Sequence, residues 1–153
     1  LERIEEFKKA MLIQSAVVRK EIKAVWSSQR FLVLSDTDWL LPEKDEVQNT
    51  IREVAVDRMP FVNRLFECEE FALMLVARVR EHRAKLAMAG DLPKTQWRNW
   101  PLGCVGGTRF KGETVDHWIN ICLTKQGLFL IEPQTNEMWV PTESGDKIIF
   151  LFM

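Results

Sequence analysis

Residues 117–133, HWINICLTKQGLFLIEP, decide how this chain folds. Two apolar runs, HWINICL and GLFLIEP, flank TKQ, the pattern of two strands joined by a tight hairpin around Gln126-Gly127. Toward the C-terminus, EMWVP and KIIFLFM add two further strands. Upstream, residues 90–116 read as loop with one short strand, LGCVGGTRF, whose Gly103, Gly106 and Gly107 mark bends or close backbone approach. Before the loop the pattern turns helical. Cys68, Phe71, Ala72, Leu75, Val76 and Val79 line the apolar face of a strong helix that frays by Gly90. Arg78, Arg80, Glu81 and Arg83 fall on its polar face. A helix over roughly 42–56 has Pro42 in its first turn and Glu43, Asp45 and Glu46 near its positive end. Another over 2–27 spaces Ile4, Phe7, Met11, Val18, Ile22 and Val25 three, four or seven apart. RFLVLSD between them is a short extended segment. Helices first and an antiparallel sheet afterwards define an α+β domain.

The 153 residues suffice for one domain with a sizeable core, so 1–153 is read as a single unit. A content of 46% hydrophobic and 28% charged residues fits an ordinary folded chain. The net charge of −1 argues against a general nucleic-acid binder, whose affinity comes from neutralising phosphates. No apolar run reaches the length of a membrane span. Charge is uneven: residues 31–70 hold ten acids against four bases, a field that favours a cation over an anion. Cys68, Cys104 and Cys122 are odd in number and widely spaced, so a reducing compartment such as the cytoplasm is expected. The chain opens on Leu1 rather than methionine, so residues upstream of it are expected, and the lack of a signal peptide carries little weight.

Two readings fit Cys68. On the apolar face of its helix it is a small core hydrophobe. At a helix N-terminus, the unpaired N–H groups favour a thiolate, and its own backbone N–H suits an oxyanion. Glu67, Glu69 and Glu70 oppose that thiolate unless a cation offsets them. His82 lies about 20 Å down the same helix, too far to act as a partner. His117 opens a strand after a loop and is the candidate base. If Thr124 pairs with Gly127, period-two alternation puts His117 and Glu132 on one face as diagonal neighbours, about 7–8 Å apart at the backbone. A one-residue slip would separate them. Glu132, Gln134, Glu69 and Glu70 together offer hard oxygen ligands of the kind Ca²⁺ takes, without an EF-hand spacing. Cys104, His117 and Cys122 are zinc-type ligands, but their spacing matches no finger or ribbon, and alternation sends His117 and Cys122 to opposite faces. Trp97 and Trp100, in WRNWP, are read as packing residues, and GCVGG lacks the Lys-Ser/Thr of a phosphate loop.

FECEEFAL, VDHWIN and LFLIEPQTNEMW together resemble the papain-like domain at the C-terminus of the mushroom agglutinin lectins and of small bacterial and phage relatives. The resemblance covers roughly residues 36–142 and leaves out 1–35 and the family's sugar-binding β-trefoil. It implies a calcium-dependent cysteine peptidase fold with Cys68 as nucleophile, His117 as general base and Glu132 as third member. Glu69 and Gln134 would help hold the calcium, which would neutralise the acids around Cys68. The family pattern more often has two aspartates after the cysteine, where this chain has Glu69-Glu70.

The leading expectation is therefore a papain-like α+β domain that hydrolyses peptide or amide bonds in a peptide or protein substrate. Cys68 attacks, His117 moves the proton, Glu132 orients the ring, and the Cys68 N–H with Asn63 meets the oxyanion. The alternative is a non-catalytic binding or assembly module, such as a phage or bacterial accessory protein, that keeps the scaffold. Helix 2–27 would then contact a partner, and a homodimer is compatible with either reading.

Overall fold

A computed structural model describes residues 11–28 and 31–153. The described chain opens with β1 (Leu12–Gln14), α1 (Ser15–Val25), β2 (Phe31–Val33), β3 (Asp38–Leu40) and α2 (Lys44–Val54). A single 3-10 turn at Val56–Arg58 leads to α3 (Cys68–Met88), and another at Lys94–Gln96 precedes the sheet. The sheet strands are β4 (Leu102–Arg109), β5 (His117–Thr124), β6 (Gly127–Glu132), β7 (Glu137–Trp139) and β8 (Lys147–Phe152).

Six strands pair in the order β2-β8-β4-β5-β6-β7, and β1 with β3 forms a separate two-stranded ribbon. The sheet is mixed, not purely antiparallel as expected, because β2 runs parallel to β8 with Phe31 opposite Phe150. The hairpin has the expected register, Thr124 opposite Gly127 and Asn120 opposite Ile131. The first helix is shorter than its periodicity suggested. Residues 12–14 are extended because Leu12 pairs with Leu40 and Gln14 with Asp38. Ile4 and Phe7 lie outside the described residues.

Alternation gives the sheet two apolar faces, each covered by helix. On one face Val105, Ile119, Ile121, Leu130 and Leu151 meet Val18 and Ile22 of α1, together with Trp26 and Phe110. On the other, Leu102, Cys122 and Ile131 meet Val47 and Ile51 of α2 and Phe71, Leu75 and Val79 of α3. Each buried aliphatic side chain contributes about 1.5–3 kcal/mol of transfer free energy. Asn120, fully buried between α3 and the sheet, joins the layers. Its Nδ2 donates to the Ala72 carbonyl at 2.8 Å and to the Gly103 carbonyl at 3.1 Å.

The glycines of β4 let β8 approach closely. A Cβ on Gly103 would sit 2.1 Å from the Phe152 carbonyl oxygen, and one on Gly107 2.1 Å from that of Lys147. Register shifts in the β4–β8 ladder flank Gly107. Among the described residues no helix is long and apolar enough to cross a membrane.

Candidate functional site

Helix α3 begins at Cys68 because Glu67 caps it. The Glu67 backbone N–H donates to Glu70 Oε2 at 2.9 Å, half of a reciprocal capping box. The Glu70 carboxylate is thereby committed to the helix start. Glu69 is committed as well, since the Cys68 thiol donates to its Oε2 at 3.3 Å. Burial pushes the half-buried thiol above its ordinary range; the Trp118 backbone N–H acts against this, and Glu69 adds to it.

His117 and Glu132 meet as alternation required: Nε2 and Oε2 lie 2.6 Å apart. Glu132 Oε1 also accepts the Gln134 backbone N–H at 3.1 Å. The pair shares the parity of Ile119 and Leu130, the face packed on α1, and the imidazole meets the Phe110 ring edge-on at 6.4 Å. Helix α3 packs on the opposite face, with Cys122 and Ile131. No hydrogen bond joins the Cys68 sulfur to the His117 ring, although the sulfur lies by the backbone N–H of Trp118, the residue that follows His117. Asn63 is exposed in a turn, bridged by Val62 and Phe66, and makes no hydrogen bond with Cys68.

The four expected calcium ligands fit that role poorly. Glu69 holds the thiol, Glu70 the capping box and Glu132 the imidazole, while Gln134 contributes its backbone N–H. No group of three or more His, Cys, Asp or Glu among the described residues is placed to hold a metal ion. Cys104 and Cys122 are buried in the sheet as core side chains, the former pushed up to about 12 by burial. His82 pairs with Glu53 at 3.7 Å on the surface.

A second region was not legible as a site. Asp36, Asp38, Arg80, Arg83, Trp97, Arg98 and Asn99 border a cleft of about 410 Å³ between α3 and the segment 92–99. Arg98 Nε donates to Asp38 Oδ2 at 3.0 Å, and Asn99 Nδ2 donates to Asp36 Oδ2 at 3.0 Å. Trp97 is 46% exposed, and its indole N–H is fixed on the Leu92 carbonyl at 2.9 Å. Trp100 behaves as the packing residue expected, but Trp97 does not. Arg83, assigned to the polar face of the helix, is only 6% exposed and stacks over Trp100 at 4.7 Å. Its Nη2 donates to the carbonyls of Gln96 and Arg98, and burial lowers its pKa, against the effect of Glu46.

No protein-family model matches the sequence, and no curated protein matches it significantly. Solved structures do share the fold. One, described as a PSL1a–E64 complex, is 17% identical with a TM-score of 0.74, covering 95% of this chain and 51% of that one. Another is a Polyporus squamosus lectin bound to the human-type influenza-binding epitope Neu5Aca2-6Galb1-4GlcNAc. It is 18% identical with a TM-score of 0.73, covering 95% of this chain and 50% of that one. The chain thus spans about half the length of these lectins, and the likeness establishes an α+β fold in common with them.

These findings correct the leading expectation. One of the similar structures is a lectin bound to a glycan, the Cys68 thiol is hydrogen-bonded to the Glu69 carboxylate, and among the described residues the acids do not converge on a metal site. The reading as a calcium-dependent cysteine peptidase, a thiol hydrolase with a peptide or protein substrate, is withdrawn.

Thiol chemistry checks this. Alkylation of Cys68 by iodoacetamide, read by peptide mapping, is expected to be slow at neutral pH and to climb as pH rises past the ordinary thiol range. A raised pKa keeps the proton on sulfur to higher pH. Glu69→Gln removes the acceptor and the charge that favour the thiol, so alkylation at about pH 8 should quicken about two- to tenfold. His117→Ala should leave the rate unchanged. Fast alkylation in acid that His117→Ala abolishes would reverse the correction.

Proposed function

We propose that this chain is a non-catalytic binding module, a single domain on a papain-like scaffold, whose ligand is a glycan held in the cleft beside Trp97. The exposed Trp97 ring carries the reading. An indole whose N–H is already tied to the backbone at 2.9 Å offers a fixed apolar plane to the C–H face of a sugar. Asp36, Asp38, Arg98 and Asn99 around it supply donors and acceptors for hydroxyls, and their mutual bonds hold them in place. A cleft of about 410 Å³ falls within the range that small-ligand sites occupy, about 300–1,000 Å³. The contacts invoked are this cleft's own, since the chain spans only about half of the glycan-bound lectin that shares its fold.

The test is calorimetric titration with a panel of mono- and oligosaccharides that includes Neu5Aca2-6Galb1-4GlcNAc. At least one member is expected to bind, and Trp97→Ala to weaken it about tenfold or more, the loss of about 1.4 kcal/mol of stacking and burial. Absence of binding across the panel, or an affinity indifferent to Trp97→Ala, would defeat the proposal.

A further inference from the structure

We infer that the cleft selects an acidic sugar, with the carboxylate taken by Arg83 and Arg80; this rests on the reading of the cleft as a glycan site. Arg83 is the decisive residue. A buried cation is costly unless it is paired and hydrogen-bonded. No carboxylate lies within 4 Å of the Arg83 guanidinium among the described residues, and only Nη2 has acceptors, the carbonyls of Gln96 and Arg98. The Trp100 ring offsets part of the cost from one side. Nε and Nη1 have no protein acceptor, yet neither is among the side-chain atoms sealed from solvent without a partner. Those N–H groups therefore remain reachable, and the open space that Arg83 borders is the cleft.

The rest of the lining agrees in sign. Arg80 stands one turn before Arg83 on α3, borders the same cleft and has no ion-pair partner among the described residues. Of the two aspartates, Asp38 is matched by Arg98 at 3.0 Å, which leaves Asp36 against two guanidinium groups. A guanidinium presents parallel N–H groups that match the two oxygens of a carboxylate. With a sugar ring on Trp97, an acid substituent would face the arginines while hydroxyls reach Asp36 and Asn99. The occupant is thus a uronic- or sialic-acid type of sugar.

The experiment titrates the whole chain with D-glucuronate, D-glucose and inorganic phosphate, following backbone amide shifts by NMR. Glucuronate is expected to bind about tenfold or more tightly than glucose, with shifts at residues 80–99, and to weaken as salt is raised while glucose does not. Arg83→Gln should bring the two sugars to similar affinity. Because Arg83 also bonds two carbonyls, Arg80→Gln is the second variant; it should cut the preference about threefold or more with an unchanged melting temperature. Equal affinity for the two sugars in the wild type would overturn the acid assignment and leave the glycan reading standing. Binding of neither sugar would overturn both. Phosphate displacing glucuronate at equal concentration would overturn the carboxylate class.

Discussion

Gly103→Ala is expected to lower the melting temperature by about 10 °C or more, a cost of about 3–5 kcal/mol in a chain of this size. Gly103 lies in β4 opposite Ile121, where β8 comes so close that a methyl group would stand 2.1 Å from the Phe152 carbonyl oxygen. It would also stand 2.6 Å from Met153 Cγ and 2.9 Å from Met153 Cα. The side-chain clash can be relieved by rotation, but the backbone clash requires β8 to move. Moving β8 would break its ladders with both β4 and β2. It would also disturb the Gly103 carbonyl that accepts the buried Asn120 amide. A second change, Met153→Ala, should therefore fail to rescue Gly103→Ala, which separates backbone collision from side-chain crowding. Thermal unfolding followed by circular dichroism reads both variants. A wild-type melting temperature in Gly103→Ala would show that β4 and β8 are not packed this tightly.

Asp146→Ala should cost about as much, 3–5 kcal/mol as a rough figure, because hydrogen bonds to a charged acceptor contribute about 1.5–3 kcal/mol each. The carboxylate is 2% exposed. Oδ1 accepts the Lys111 backbone N–H at 3.0 Å and the Trp139 indole N–H at 3.2 Å, and Oδ2 accepts the Thr142 N–H at 2.9 Å. The Asp146 carbonyl accepts the Trp26 indole N–H at 2.8 Å. One residue thus ties the α1 terminus, the 111 turn, β7 and its own turn together. Alanine strands three donors in the interior. Asp146→Asn keeps the shape but sets an amide N–H₂ against one of those donors, so its loss should be smaller, about 2 kcal/mol. Urea midpoints rank the two variants, and equal midpoints for wild type and Asp146→Ala would refute the role.

Most of the architecture was legible, and the failures have physical causes. The hairpin register followed from Thr124 and Gly127, and α3 began at Cys68 as its apolar spacing required. The first helix was drawn too long because Met11 keeps helical spacing with Val18 and Ile22. Pairing of residues 12–14 with β3 overrides that local pattern, and β3 itself is too short to register as a strand. The α+β class was legible; the parallel β2–β8 pair was not, since a sheet neighbour contributed from a hundred residues away leaves no local trace. The candidate site was legible in part. Alternation correctly put His117 beside Glu132, but the same alternation assigns both to the face of Ile119 and Leu130, while α3 covers the face of Cys122. Which helix covers which face is a long-range fact. The cleft was missed because Trp97 and Trp100 look alike in WRNWP, and only tertiary packing separates an exposed ring from a buried one. Arg83 was hidden in the same way: its spacing places it with other charges, and its burial comes from the Trp100 ring laid against it.

β8 lies inside the sheet, between β2 and β4, and Met153 exchanges backbone hydrogen bonds with Val33 and Ser35. During synthesis, everything up to residue 146 can emerge while the glycine-rich flank of β4 still lacks its neighbour. A nascent chain at that stage presents an open strand edge to any passing polypeptide. Closure must wait until residues 147–153 have left the ribosome, so the edge of β4 stays open for as long as β8 is still inside the tunnel.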